Sequence, residues 1–256
     1  MNIVFTVKLV PDLVEELVIN ASGTALDMTA TRLKLNECYD HAIEQAVLLQ
    51  ERGAGQVTII APDVEGVDDA LYTAAAKGTV RLIKLTRRWD SASNHALARV
   101  FANAVEVLQL RPELILTGVQ AHNDLDGTVG PILAEHLGMP YVGYVSSVKI
   151  SGSDQVTVRK EYPGGLLAEM QVTLPAVLGI QAADKPPRYV PISKIRQTMK
   201  TATIETFHAA ELEPGGAVAV SRMFQPEIGA RATMLEGDAD QVGARLIEIF
   251  KEQSVL

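Results

Sequence analysis

At 256 residues, with 47% hydrophobic and 21% charged residues of mixed sign, the chain is long enough to bury roughly three quarters of its unfolded surface and too apolar to stay disordered. Its formal charge of −8 leaves no basic face for a phosphate backbone, so no nucleic-acid partner is expected, although backbone amides can still hold a nucleotide. Cys38 is the only cysteine, which excludes an internal disulfide and cysteine-ligated zinc or iron–sulfur sites.

The first predicted element is a buried parallel strand from Ile3 to Val10, ending at Pro11-Asp12. Residues 13 to 35 carry turn signals (Asn20, Ser22, Gly23) and leave room for a small excursion or a hairpin. Asn36 is a plausible N-cap for a helix in which Tyr39, Ala42, Ile43, Ala46, Val47 and Leu49 recur at helical spacing before Gly53-Ala54-Gly55. Predicted strands at 56–61, 80–85 and 113–117 then alternate with helices at 66–77, 93–110 and 128–137. This alternation implies right-handed βαβ units and an α/β fold, a doubly wound, mostly parallel sheet covered on both faces.

After Pro140 the strand-like runs 142–150, 155–161, 166–174 and 176–180 follow one another without helices. Gly152-Ser153-Asp154 and Pro163-Gly164-Gly165 supply turn residues, so these runs read as added antiparallel hairpins. From Lys185-Pro186-Pro187-Arg188 to about residue 235 the chain is polar and turn-rich, and 239–251 reads as a final helix. Residues 1–187 are therefore expected to form an α/β domain, and 188–256 a long C-terminal arm that embraces a partner. No run approaches the eighteen or so apolar residues of a membrane span, and no charged segment precedes Ile3 to Val7. Neither membrane insertion nor export is expected, and the reading is cytoplasmic.

In an open α/β sheet the ligand lies beyond the carboxyl ends of the strands, where helix N-termini present free amides. Three segments converge there: Lys8 to Asp12, Asn36 to Asp40, and Gly118-Val119-Gln120-Ala121 with His122 to Pro131. Gly127 and Gly130 permit close backbone approach, and amides near Thr128 to Gly130 suit a phosphate. Neither GxGxxG nor GxxxxGK[ST] is present, and Asn123, Asp124 and Asp126 are equally readable as loop and N-cap residues. The five histidines show no HxxxH or HExxH spacing, and no serine stands in GxSxG, so neither a metal site nor a catalytic constellation is expected. Cys38, beside a helix start, reads either as a lowered-pKa thiol or as a small apolar residue facing the sheet. A nucleotide cleft without acid–base machinery, joined to an embracing arm, points to a carrier or scaffold subunit.

Several motifs resemble the β subunit of electron transfer flavoproteins, including its FixA-type members. Lys8-Leu9-Val10-Pro11-Asp12 resembles that family's KxVPD opening, and Asn36 to Ala46 its NPxDxxAxEEA helix start. Gly118-Val119-Gln120-Ala121 resembles GxQA, and Val129 to Pro140 resembles VGPxLAExLGxP. Gly164-Gly165, Leu174-Pro175-Ala176-Val177 and Pro187-Arg188-Tyr189 follow in the family's order. The resemblance implies a heterodimer with an electron transfer flavoprotein α subunit carrying the redox FAD, while this chain binds AMP or, in electron-bifurcating members, a second FAD. Electrons would pass from a flavin dehydrogenase to a quinone oxidoreductase or another acceptor, with no catalytic residue contributed here.

Carried over by position, Val7 and Lys8 flank the adenine; Asn36, Tyr39, Asp40, His41 and Ala42 line its pocket; and Ala61 closes it. Gly118, Gln120, Asn123, Asp124, Asp126, Gly127, Thr128 and Val129 hold ribose and phosphate. The chain departs from the pattern GKQAxDGDTAQVGP at Val119, Asn123, Leu125 and Thr128, and Glu37 replaces the usual proline. It also places Asp184 where related subunits offer a leucine anchor to acyl-CoA dehydrogenases. An aspartate there would be desolvated without a partner, so a dehydrogenase of another class is expected. The alternative reading is a non-redox, stress-protein-like nucleotide-binding regulator of similar architecture.

Overall fold

The computed structural model describes residues 1–255 except 30, 79, 80, 88, 90–92, 125, 126, 210–218, 227, 228, 230 and 231. The chain divides into two compact units, Met1–Ser221 and Arg222–Leu256.

In the first unit the strands are β1 (Ile3–Thr6), β2 (Leu9–Pro11), β3 (Leu33–Leu35), β4 (Val57–Pro62), β5 (Arg81–Thr86), β6 (Leu114–Gly118), β7 (Tyr141–Ile150), β8 (Gln155–Tyr162), β9 (Leu166–Thr173), β10 (Ala176–Ile180) and β11 (Ile204–His208). The helices are α1 (Glu37–Glu51), α2 (Val67–Lys77), α3 (Asn94–Val107), α4 (Val129–Leu137) and α5 (Ile192–Thr198). Among the described residues, nine strands form one sheet in the order β11-β5-β4-β1-β6-β10-β7-β8-β9, parallel from β11 to β7 and antiparallel from β7 to β9. This is the doubly wound, mostly parallel α/β arrangement that the alternation of elements predicts.

The period of two along each strand sends side chains to opposite faces and so divides the core. Ile3, Phe5, Leu114 and Leu116 pack with Ile43, Ala46 and Leu71 of α1 and α2. Val4, Ile60, Ile83 and Ile115 pack with Leu97, Phe101 and Leu133 of α3 and α4. Each such side chain contributes about 1.5–3 kcal/mol by leaving water, which is why the central strands are apolar on both faces.

Three readings are corrected. The predicted strand from Ile3 to Val10 is interrupted: β1 ends at Thr6, and Leu9–Pro11 pairs antiparallel with Leu33–Leu35 as a separate two-stranded sheet that closes the excursion between them. The run 176–180 is not another hairpin strand, for β10 inserts parallel between β6 and β7. All five of its residues are buried, a state an outer hairpin strand cannot supply. The stretch read as irregular after residue 188 contains α5 and then β11, which extends the sheet beside β5.

The second unit holds α6 (Ala239–Glu252), started by a reciprocal cap: Asp238 accepts the Gln241 N–H and Gln241 accepts the Asp238 N–H. Leu246, Ile247 and Phe250 on this helix are exposed.

Before α5, Arg188 fastens the chain to α1. Its guanidinium donates to Glu44 at 2.8–3.1 Å and to Glu51 at 2.6 Å, and its backbone N–H also reaches Glu44 at 3.0 Å. The Glu44 side chain is 3% exposed and that of Arg188 32%. Arg188→Ala strands a buried carboxylate. We expect a loss of about 2–3 kcal/mol in urea unfolding, short of the full penalty of a wholly buried pair because Arg188 is partly solvated.

Candidate functional site

β1 is the strand from which the sheet is wound in both directions, toward β4 and β5 on one side and β6 and β10 on the other. The crevice outside the carboxyl ends of β1 and β6 is therefore the topological switch point, where open α/β sheets bind ligands. Phe5 pairs with Leu116, so Thr6 and Thr117 follow side by side at that edge. Both are 0% exposed, and among the described residues neither hydroxyl has a hydrogen-bond partner. A buried hydroxyl left unpaired costs about 1–3 kcal/mol, and a ligand oxygen placed between these two would recover it.

The loops beyond the strands are fastened to one another. Lys8 Nζ pairs with the Asp124 carboxylate and donates to Asn94 Oδ1 at 3.0 Å, tying the end of β1 to the β6–α4 loop and to the start of α3. Asp124 also accepts the Ala121 N–H at 3.0 Å while its own N–H returns to the Ala121 carbonyl at 2.9 Å, so the loop carries its own turn. The His122 ring hydrogen-bonds the Pro11 carbonyl at 2.9 Å. Asn36 caps α1 by accepting the Cys38 N–H at 3.1 Å, and its backbone N–H donates to the Lys8 carbonyl at 3.1 Å. Behind this cap Tyr39 is wholly enclosed. Burial, with the Asp124 carboxylate nearby, pushes its phenol far above the ordinary value, so it stays neutral. Gly118 ends β6 against that ring, and a Cβ there would overlap it.

At the far side of the crevice Thr128 precedes α4 without a side-chain capping bond. The first amides of the helix, Val129 and Gly130, have no acceptor within the helix and lie at its positive end, a donor set that suits an oxyanion. Gly127 makes the approach with φ +60°, and a Cβ there would press within 3.1 Å of the Val119 carbonyl.

The other sequence-derived candidates separate into groups. Val7, Ala42 and Ala61 are fully buried in the core beneath the crevice. Gln120 and Asn123 are exposed on the loop, and Asp126, like Leu125, lies outside the described residues. Asp40 and His41 look elsewhere: Asp40 accepts Lys77 Nζ at 2.5 Å, and His41 Nδ1 accepts the Ala183 N–H at 3.1 Å. Asp40 and Lys77 line a different cavity of about 870 Å³ together with Leu9, Glu37 and His122. Val119, where the family pattern has lysine, is buried. Thr6, Thr117 and Asn94 were not singled out from the sequence. The readable signal was a hydroxyl closing each of two apolar strand runs, IVFT and ILT. Among the described residues no group of three His, Cys, Asp or Glu side chains is arranged for a metal, and no helix is long and apolar enough to cross a membrane.

Asp184 differs from expectation in having partners. Arg52 donates to its carboxylate at 2.6 Å, Ser147 hydrogen-bonds it, and its backbone N–H reaches Gln45 Oε1 at 3.0 Å. Burial raises the carboxyl pKa, but the hydrogen bonds from Ser147 and Arg52 and the Arg52 charge outweigh it and hold the group below 3.8.

Residues 25–212 match the electron transfer flavoprotein domain family. The chain is 31% identical over 265 residues to the electron transfer flavoprotein subunit beta of Methylophilus methylotrophus, covering 98% of each chain. It is 27% identical over 260 residues to the subunit of the same name from Clostridium acetobutylicum, covering 99% of each. Against the protein FixA of Azorhizobium caulinodans it is 27% identical over 274 residues, spanning 100% of this chain and 96% of that one.

Two outcomes test the geometry. Gly118→Ala is expected to lose about 1–3 kcal/mol in urea unfolding, because the Tyr39 ring has no room to retreat. Asp184, whose folded pKa is lowered, contributes stability that is fully present above 3.8 and fades as pH falls through the lower folded value. Asp184→Asn should therefore be less stable by about 0.5–1 kcal/mol at pH 7, with the gap closing in acid; a gap that stays constant with pH would contradict this ion pair.

Proposed function

Because the chain belongs to the electron transfer flavoprotein family as a β subunit, we propose that it is the nucleotide-holding half of a heterodimer. Its partner is an α subunit carrying the redox FAD. The pair takes electrons from a flavin dehydrogenase and passes them to a quinone oxidoreductase or another acceptor in the cytoplasm. When bound, FAD supplies the electron chemistry. The residues of this chain position, enclose and dock.

The crevice of this subunit holds AMP or the adenosine-phosphate portion of a second FAD. The observation that carries this reading is the pair of buried, unpartnered hydroxyls, Thr6 and Thr117, at the switch point of the sheet and beside the free amides of α4. The Lys8–Asp124 pair and the Asn36 cap hold the surrounding loops in place. Residues 188–256 are the segment that contacts the α subunit, and the exposed apolar side chains of α6 support that role.

The dehydrogenase belongs to a class other than the standard acyl-CoA dehydrogenases. Asp184 stands where related subunits offer an apolar anchor, and its ion pair with Arg52 puts a largely buried, paired carboxylate there in place of an apolar side chain.

The test is co-expression with the cognate α subunit, followed by a visible spectrum and extraction of bound nucleotides. A yellow 1:1 complex with one FAD and one AMP, or with two FAD, is expected. A colourless, stable single chain would overturn the reading in favour of the stress-protein-like regulator. Reduction of the complex by a medium-chain acyl-CoA dehydrogenase should be at least about thirtyfold slower than that of a leucine-bearing relative, the effect of losing one dominant interface anchor.

A further inference from the structure

Tyr141, the first residue of β7, lies in a notch made by three glycines. A Cβ on Gly130 would come within 2.7 Å of its ring, one on Gly143 within 2.8 Å of its hydroxyl, and one on Gly179 would overlap that hydroxyl. These glycines come from α4, β7 and β10, so three separate elements give up a side chain to admit one phenol. The hydroxyl ends beside Thr117. Measured from the point a Gly130 Cβ would occupy, Thr117 Oγ1 is 3.0 Å away and the Tyr141 oxygen 3.1 Å away. Thr117 Oγ1 is fully buried with no partner among the described residues, and the Tyr141 oxygen lies close to it at the same flank of Gly130. Two O–H donors thus converge on the flank of the second residue of α4. Of the first three positions of that helix, two carry free N–H groups and the third, Pro131, has none.

A hydrophobic role explains the ring but not the hydroxyl, since phenylalanine would fill the notch equally well. We infer that Tyr141 and Thr117 donate their hydroxyl hydrogens to a phosphate oxygen of the adenine nucleotide seated at the start of α4. This assignment rests on the nucleotide-binding reading of the crevice and deepens it. Burial raises the Tyr141 phenol to about 12, which keeps it protonated and a donor throughout the neutral range.

The experiment compares AMP with adenosine, which lacks the phosphate, by calorimetric titration into the heterodimer stripped of bound nucleotide. Tyr141→Phe keeps the ring and removes one oxygen; Thr117→Val does the same for the neighbouring hydroxyl. Each variant is expected to bind AMP on the order of tenfold more weakly while binding adenosine as the unmodified protein does, the effect of one hydrogen bond to a charged group. Thermal midpoints without nucleotide should not fall. AMP affinity unchanged in both variants would overturn the assignment alone, as would an equal loss for AMP and adenosine, which would indicate packing. If the unmodified heterodimer bound neither ligand, the nucleotide-binding reading would fall and this assignment with it.

Discussion

A parallel sheet buried on both faces can present a ligand with only its ends, and that constraint governs this protein. Helices must cover the sheet because its strands are apolar on both sides, and the right-handed crossovers that place them return every loop to one of two edges. At the carboxyl edge those loops meet the N-termini of α1, α3 and α4. The fold thus gathers unpaired amides and strand-end side chains at one crevice, wherever they stand in the sequence. Thr6 and Thr117 are more than a hundred residues apart yet adjacent there, because β1 and β6 are neighbours in register.

The ion pairs act on segments rather than on the crevice itself. Residues 183–188 lie along α1 and are held at successive points of that helix. His41 and Gln45, four residues apart, accept the amides of Ala183 and Asp184, while Glu44 takes Arg188. Arg52, just past the helix, takes Asp184. The i, i+4 spacing places such side chains along one flank. The same geometry turns Asp40 away toward Lys77, although position alone assigned it to the adenine pocket.

The parts legible in the sequence were those with a strong local signature. The alternation of apolar runs with capped helices gave the sheet, and the glycine-rich segment at 118–130 was legible as the turn from β6 into α4 at the carboxyl edge. What was missed had a tertiary cause. Leu9–Pro11 is as apolar as the strand before it, so only its pairing with Leu33–Leu35 marks the break. β10 follows a hairpin in sequence, and nothing local says that it crosses back to fill the gap between β6 and β7. β11 is a short edge strand whose pattern becomes readable only beside β5. Threonine is an ordinary strand residue, so Thr6 and Thr117 gave no warning that their hydroxyls would be left without partners.

The Lys8–Asp124 pair has a further bearing on how an anion would be captured. The cation at the mouth of the crevice is already neutralised, and the molecule as a whole is negative. No electrostatic funnel draws a phosphate inward from beyond a screening length. A phosphate approaching the proposed site would be repelled at long range by the net charge, a repulsion that added salt screens, so its retention would depend on short-range donors. If the crevice holds an adenosine phosphate as proposed, how long it stays would be set by its dissociation rate rather than by how fast it arrives.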